Sequence, residues 1–194
     1  MRAIETLMKE HRTAESVVDS LCLFARTVAE QRLDQRDALA RFVDLFRVFD
    51  ELHHRKEEDV LFERMLCHGF SREHGPLAVM LADHETCRKL VARLAILADR
   101  ADAWTDDDRR LLGEIAIRYA LFLKAHIAKE DNVLYPMSER VVPPPEWSDI
   151  DRSFDELEAR WGRDGTLIDF CERVSELRER WPAADGPRPG GCAG

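Results

Sequence analysis

No stretch of this 194-residue chain approaches the ~20 consecutive apolar residues that cross a bilayer, so no membrane span is expected. Its first residues, MRAIETLMKEHR, lack the apolar core and small-residue cleavage site of a secretory leader. Positive charge is in deficit: 29 Lys and Arg stand against 38 Asp and Glu, a net charge of -9, which argues against a nucleic-acid partner. The five cysteines (Cys22, Cys67, Cys87, Cys171 and Cys192) are odd in number, scattered, and form no CxxC. That pattern argues against a disulfide framework and favours a reducing cytoplasm. Aromatic residues make up only 8%, and no segment alternates apolar and polar residues as a half-buried strand would.

What is present is helical periodicity. Four long segments carry apolar residues at helical spacing. The first runs from about Ile4 to Gln31. The second starts at Asp34 as N-cap and reaches about Cys67, where Gly69 stops it. The third opens with Gly75-Pro76 as N-cap and first-turn proline and ends near Ala101. The fourth is capped by Thr105, with Asp106, Asp107 and Asp108 favourably placed against its dipole, and continues to about Val141 before three prolines. Two shorter helices are predicted over 148–162 and 166–181, then a flexible tail over 183–194. Short connections favour antiparallel neighbours, so the expected fold is all-α: an up-down-up-down four-helix bundle over 1–142 with a helical extension over 146–182.

The two halves repeat. Shifted by 73 residues, His11 falls on His84, Val18 on Val91, Phe49 on Phe122, His53 on His126 and Glu57 on Glu130. Each of the four histidines sits on its helix's apolar stripe: His53 follows Phe46 and Phe49, and His126 follows Tyr119 and Phe122. Within each hairpin the two histidines are equidistant from the turn to within two residues, so four imidazoles should meet in the interior. Imidazoles buried together need partners. Glu57 and Glu130, each four after a histidine, share its face. Glutamate and histidine on facing helices are how bundles hold paired iron or manganese, and this donor set suits iron, manganese or zinc.

In HHRKEED (residues 53–59), the phase of the phenylalanine stripe puts His53 and Glu57 inside. His54, Lys56 and Glu58 then fall toward the rim. A lone HxxxE is usually a surface pair, and a lone histidine on an apolar stripe is usually a satisfied core residue. It is the joint, repeated arrangement that favours a metal. Weaker candidates take the bland reading: Glu15 and Asp131 as ion-pair partners, Tyr119 and Tyr135 as core packing rather than redox-active groups or hydrogen-bond donors near a metal, Cys87 as a small buried residue, His68 and His74 as solvated.

The EH of LMKEHRTAE, HHRKEEDVLF, GPLAVMLADHE and HIAKEDNVLYP occur in an order that resembles the hemerythrin-like, or HHE cation-binding, proteins over about residues 1–141. The resemblance implies a four-helix bundle around two iron ions, a non-haem di-iron centre with an oxo or hydroxo bridge. Its metal ligands would be His11, His53, His84 and His126, with Glu57 and Glu130 bridging. Oxygen-carrying members place a second histidine four after the first on the third helix, where this chain has Arg88. They also use an aspartate five after the last histidine, where Asp131 stands; the repeat favours Glu130, with Asp131 in reserve. These departures argue against dedicated oxygen carriage. The resemblance implies a small diatomic ligand or peroxide as partner. The expected activity is nitric oxide or peroxide reduction, or a role in oxidative or nitrosative stress. A non-catalytic sensor of oxygen, nitric oxide or iron, signalling through the last two helices, is the alternative, and iron storage or donation is a third.

Overall fold

The computed structural model describes residues 1–163 and 165–182; the tail expected over 183–194, with Cys192, lies outside them. The described residues are all-α, with no strand among them. Helix α1 (Arg2–Gln31) buries Ile4, Leu7, His11, Ala14, Val18, Leu21, Ala25 and Val28. Those positions alternate in steps of three and four, which keeps one stripe facing inward along the whole helix. It ends at Arg32, whose backbone turns left-handed (φ 52°) and donates its N–H to the Val28 carbonyl.

Helix α2 (Arg36–Phe49) starts one residue later than Asp34 would cap it, with Gln35 at the N-cap. Asp34 instead joins the two turns at that end of the molecule, accepting from the Arg36 guanidinium (2.9 Å) and from the Trp104 backbone N–H (3.2 Å). Beyond α2 come two π-helical turns, Asp50–His54 and Glu57–Leu61, before α3 (Phe62–Cys67). Gly69, at φ 90°, takes the chain out of α3.

Helix α4 (Gly75–Ala98) has His74 rather than Gly75 at its N-cap, and ends three residues before Ala101. Helix α5 (Asp106–Lys129) has a full capping box: the Thr105 hydroxyl accepts from the Asp108 N–H, and the Asp108 carboxylate accepts from the Thr105 N–H. A third π-helical turn, Glu130–Leu134, leads into α6 (Tyr135–Val141). A single 3-10 turn, Pro144–Glu146, then precedes α7 (Trp147–Arg163) and α8 (Thr166–Arg180).

Helix α1 packs on α5, α2 on α4, and α4 on α5. Along α1, Phe24 meets Phe42 while His11 meets His53, and Cys22 meets Ala116 while His11 meets Asp131, so α1 runs opposite to the two segments it touches there. Helix α8 lies on α1 and α2, and α7 on α1. Two apolar clusters form the core. One runs from Ala14 and Phe49 to Trp104 and includes Trp181; the other gathers Leu7, Leu61, Met80, Leu134 and Tyr135 with Trp147 and Phe154 of α7. On each long helix the buried histidine sits where one cluster gives way to the other: His11 between Leu7 and Ala14, and His84 between Met80 and Cys87.

Candidate metal centre

The π-helical turns decide which side chains enter the gap between the clusters. A π turn bonds five residues back instead of four, so one extra residue is fitted in and the face shifts. Across Asp50–His54 both adjacent histidines therefore face inward. His53 stacks on Phe49 at 4.7 Å between ring centroids, and His54 meets the same ring edge-on at 6.2 Å. His54 and Lys56 are buried, 4% and 2% exposed. The expectation that they lie at the rim is overturned, because it applied a constant helical phase where the helix has none. Glu58 does lie at the edge, half-buried.

Seven buried side chains converge. His11, His53, Glu57 and Glu130 present one donor atom each within 4.8 Å of one another, and so do His54, His84 and His126. The two glutamates touch both groups. Glu57 Oε2 is 3.6 Å from His53 Nε2 and 3.4 Å from His84 Nε2; Glu130 Oε2 is 3.2 Å from both His11 Nε2 and His126 Nε2. Tyr135 donates its hydroxyl to Glu57 Oε1 at 2.7 Å, and that hydroxyl lies 3.3 Å from His11 Nε2. The histidines expected at the centre are all here, with His54 in addition. Asp131 and Glu15 are elsewhere: Asp131 sits against the outer nitrogen of His11, and Glu15 pairs with Arg12.

Every imidazole is oriented by a carboxylate on its outer nitrogen. Asp131 takes His11 Nδ1 (2.7 Å), Glu10 takes His53 Nδ1 (2.8 Å), Glu58 takes His84 Nδ1 (2.7 Å), Asp83 takes His126 Nδ1 (3.4 Å), and Asp50 takes His54 Nδ1. This fixes Nδ1 as the protonated nitrogen and turns Nε2 toward the centre, the usual support for a metal-binding histidine. Lysines back two of these carboxylates: buried Lys56 contacts Glu10 and Glu158, and Lys129 contacts Asp83.

Charge is unevenly spread. Burial pulls the His11 pKa down, but bonds to Asp131 and Glu130 and the charge of Glu57 outweigh it and set it at about 9. His84 is likewise lifted well above its ordinary value, its burial overcome by Glu130, Glu57 and Glu58. Burial with little compensation lowers His126, and burial together with the neighbouring His84 takes His54 down to about 4. Burial opposes ionisation of Glu57 and Glu130, yet the surrounding imidazoles hold both below the usual carboxylate range. Even so, Glu57 Oε2, both Glu130 oxygens, His84 Nε2 and His126 Nε2 are sealed from solvent without a well-aligned hydrogen bond. Buried polar atoms are seldom left so. Five orphaned donors of imidazole and carboxylate type, converging on one point, fit divalent metal ions.

The outer carboxylates carried a sequence signal that composition and phase missed. The 73-residue repeat relates Glu10 to Asp83, Lys56 to Lys129 and Glu58 to Asp131, and each related pair does the same work on related histidines. His54 breaks the symmetry, since its counterpart is Ile127, itself buried. That apolar partner was the available hint that position 54 faces inward.

A family model described as the hemerythrin HHE cation binding domain matches residues 2–138. Among curated proteins, an uncharacterized protein of Mycobacterium tuberculosis and one of Mycobacterium bovis are each 25% identical over 185 residues, covering 91% of this chain and 69% of theirs. No solved structure matches the chain.

Proposed function

This chain belongs to the hemerythrin HHE cation-binding family, and on that premise we propose a non-haem di-iron protein that binds or reduces a small ligand, whether dioxygen, nitric oxide or peroxide. The observation that carries the reading is the set of five sealed, unpartnered donor atoms between two histidine groups. In this reading His11 and His53 hold one ion and His54, His84 and His126 the other. Glu57 and Glu130 serve both, since each contacts histidines of both groups. The up-down-up-down arrangement of 1–142, with 146–182 as its extension, is part of the same proposal.

Two irons supply open coordination and reversible electron transfer to a small ligand. The chain supplies an asymmetric surround. The His11 side has one histidine fewer and, in Tyr135, a phenol whose counterpart in the repeat is Phe62. Burial pushes the Tyr135 hydroxyl well above its ordinary pKa, so it remains a proton-bearing donor that holds Glu57 and can turn to a ligand beside His11. The apolar cluster around Leu7, Leu61 and Leu134 limits water there.

One observation favours the non-catalytic sensor as second reading. Glu158 of α7 reaches Lys56 at 2.6 Å, Lys56 holds Glu10, and Glu10 orients His53, so the first of the C-terminal helices touches the support of a proposed metal ligand.

Iron, manganese and zinc content, with the visible spectrum before and after dithionite and nitric oxide, tests the proposal. Two irons per chain and a band that bleaches on reduction are expected. His54→Ala should lower occupancy at one ion only, leaving about one iron per chain. Protein that retains no metal after anaerobic reconstitution would end the di-iron reading. Steady turnover of nitric oxide or peroxide would favour an enzyme over a sensor.

A further inference from the structure

A cavity of about 200 Å³ opens between α2, α4 and α5, walled by Phe46, Phe49, Val91, Leu123, Tyr119 and His54. None of the other six converging side chains lines it, so it is a separate space that shares one wall with the metal centre. Tyr119 is 3% exposed, yet among the described residues its hydroxyl makes no hydrogen bond. Unlike the five sealed atoms of the centre, this hydroxyl is not closed off, which leaves it free to meet a molecule in the cavity that Tyr119 lines. The residues around it do not serve: the Cys87 thiol is a weak group that burial pushes up to about 12, and the nearby Asp50 carboxylate is already taken by His54 and by Arg88 at 3.0 Å.

We propose that this cavity binds a small neutral aromatic molecule bearing one hydrogen-bond acceptor, a ring of the phenol or benzaldehyde class, with the acceptor on the Tyr119 hydroxyl. Size, lining and charge each narrow the choice. A closed apolar cavity of about 150 Å³ already takes benzene, so the volume suits a single ring with one substituent. Phe46 and Phe49 give ring faces and edges, and Phe46 stands edge-on to Tyr119 at 4.9 Å. Two cations border the cavity: Arg88 is satisfied by both Asp50 and Glu58, and Arg47 pairs with Asp44 at 3.8 Å, which leaves little attraction for an anion. Such a molecule would rest against His54 without displacing any other side chain of the centre. The site does not require the metal, so it stands or falls separately from the di-iron proposal.

Calorimetric titration of the full chain with 4-fluorophenol and with fluorobenzene, in metal-loaded and metal-stripped forms, tests it. Saturable one-to-one binding of both compounds is expected in both forms. Tyr119→Phe should weaken 4-fluorophenol about fivefold, the value of one hydrogen bond, and leave fluorobenzene unchanged. Ala92 is exposed at the mouth. Ala92→Trp should therefore weaken both compounds at least tenfold without depending on repacking of the core. No saturable heat up to about 10 mM, equal 4-fluorophenol affinity in the Tyr119→Phe chain, or binding that disappears when the metal is stripped would each overturn the proposal. The last of these would place the phenol on the ion itself.

Discussion

At the scale of single residues, the metal-free protein should hold protons that the metal must displace. His11 has a pKa of about 9 and His84 is also raised, so both are protonated at neutral pH without metal. Metal binds neutral imidazole. Uptake should therefore release about two protons per chain near pH 7, and affinity should climb as pH rises from 6 toward 9. Calorimetry in buffers of different ionisation heats measures the release; uptake with no proton released would contradict the assigned states. The stability linkage has the opposite sign. A histidine with its folded pKa raised from 6.5 to about 9 stabilises the metal-free fold fully below pH 6.5, and that contribution is lost as pH rises through 9. Metal-free protein should thus melt lower at pH 9.5 than at pH 6.5, while loaded protein should not follow it.

The outer carboxylates belong to this scale too. Asp131→Asn keeps the size of the side chain but replaces the anion that orients His11. Removing such support costs roughly 10–100-fold in metal affinity, so a competition titration against a chelator should show that loss with the helical content unchanged. An affinity within twofold of the parent would make Asp131 a simple partner of Arg12. The sequence disclosed that positions 11, 53, 57, 84, 126 and 130 face inward because they share faces with phenylalanine, valine and leucine. Glu10, Glu58 and Asp83 were legible only through the 73-residue repeat, since a carboxylate reaching across to another helix leaves no trace in helical phase.

At the scale of elements, long helices were legible because a three-four stripe is a direct image of helical geometry, and the Thr105 cap because its partner Asp108 is three residues away. The π-helical turns were not legible. They are set by what must fit between packed helices, and nothing in DELHH or EEDVL announces them. The turn at Glu57–Leu61 recurs at Glu130–Leu134, one repeat later, and each begins at a shared glutamate. Asp50–His54 has no counterpart, and it is the turn that brings in the fifth imidazole. Asp59 is exposed inside the second of these turns. Deleting it returns that turn to α-helical register and rotates Glu57 against Leu61 by about 100°. The variant should keep most of its helical circular dichroism and lose iron below one per chain. Full metal content after the deletion would show that the π turn does not position the glutamate.

At the scale of the whole molecule, the last two helices were expected from periodicity as an extension, but where they would dock was not in the sequence. They dock on both clusters: Trp147 and Phe154 join the one around Leu7 and Leu61, and Trp181 closes the other against Phe24 at 4.9 Å and Phe42 at 5.7 Å. Between them Glu158 meets the buried ammonium of Lys56, which also lies 5.8 Å from the Phe154 and Trp161 rings. A cation buried this far is costly without partners. The extension therefore bears on the metal centre in two separable ways. Trp181→Ala empties a large buried side chain and should cost about 3–5 kcal/mol, lowering the melting temperature by roughly 10 °C with the iron still bound. Glu158→Gln removes little volume but takes one of two anions from buried Lys56, so it should lower the melting temperature less than Trp181→Ala does and alter the iron spectrum through Glu10 and His53. A Trp181→Ala chain that melts within 2 °C of the parent would make α8 an appendage. A Glu158→Gln chain with an unaltered spectrum would confine α7 to packing and remove the structural support for signalling through it.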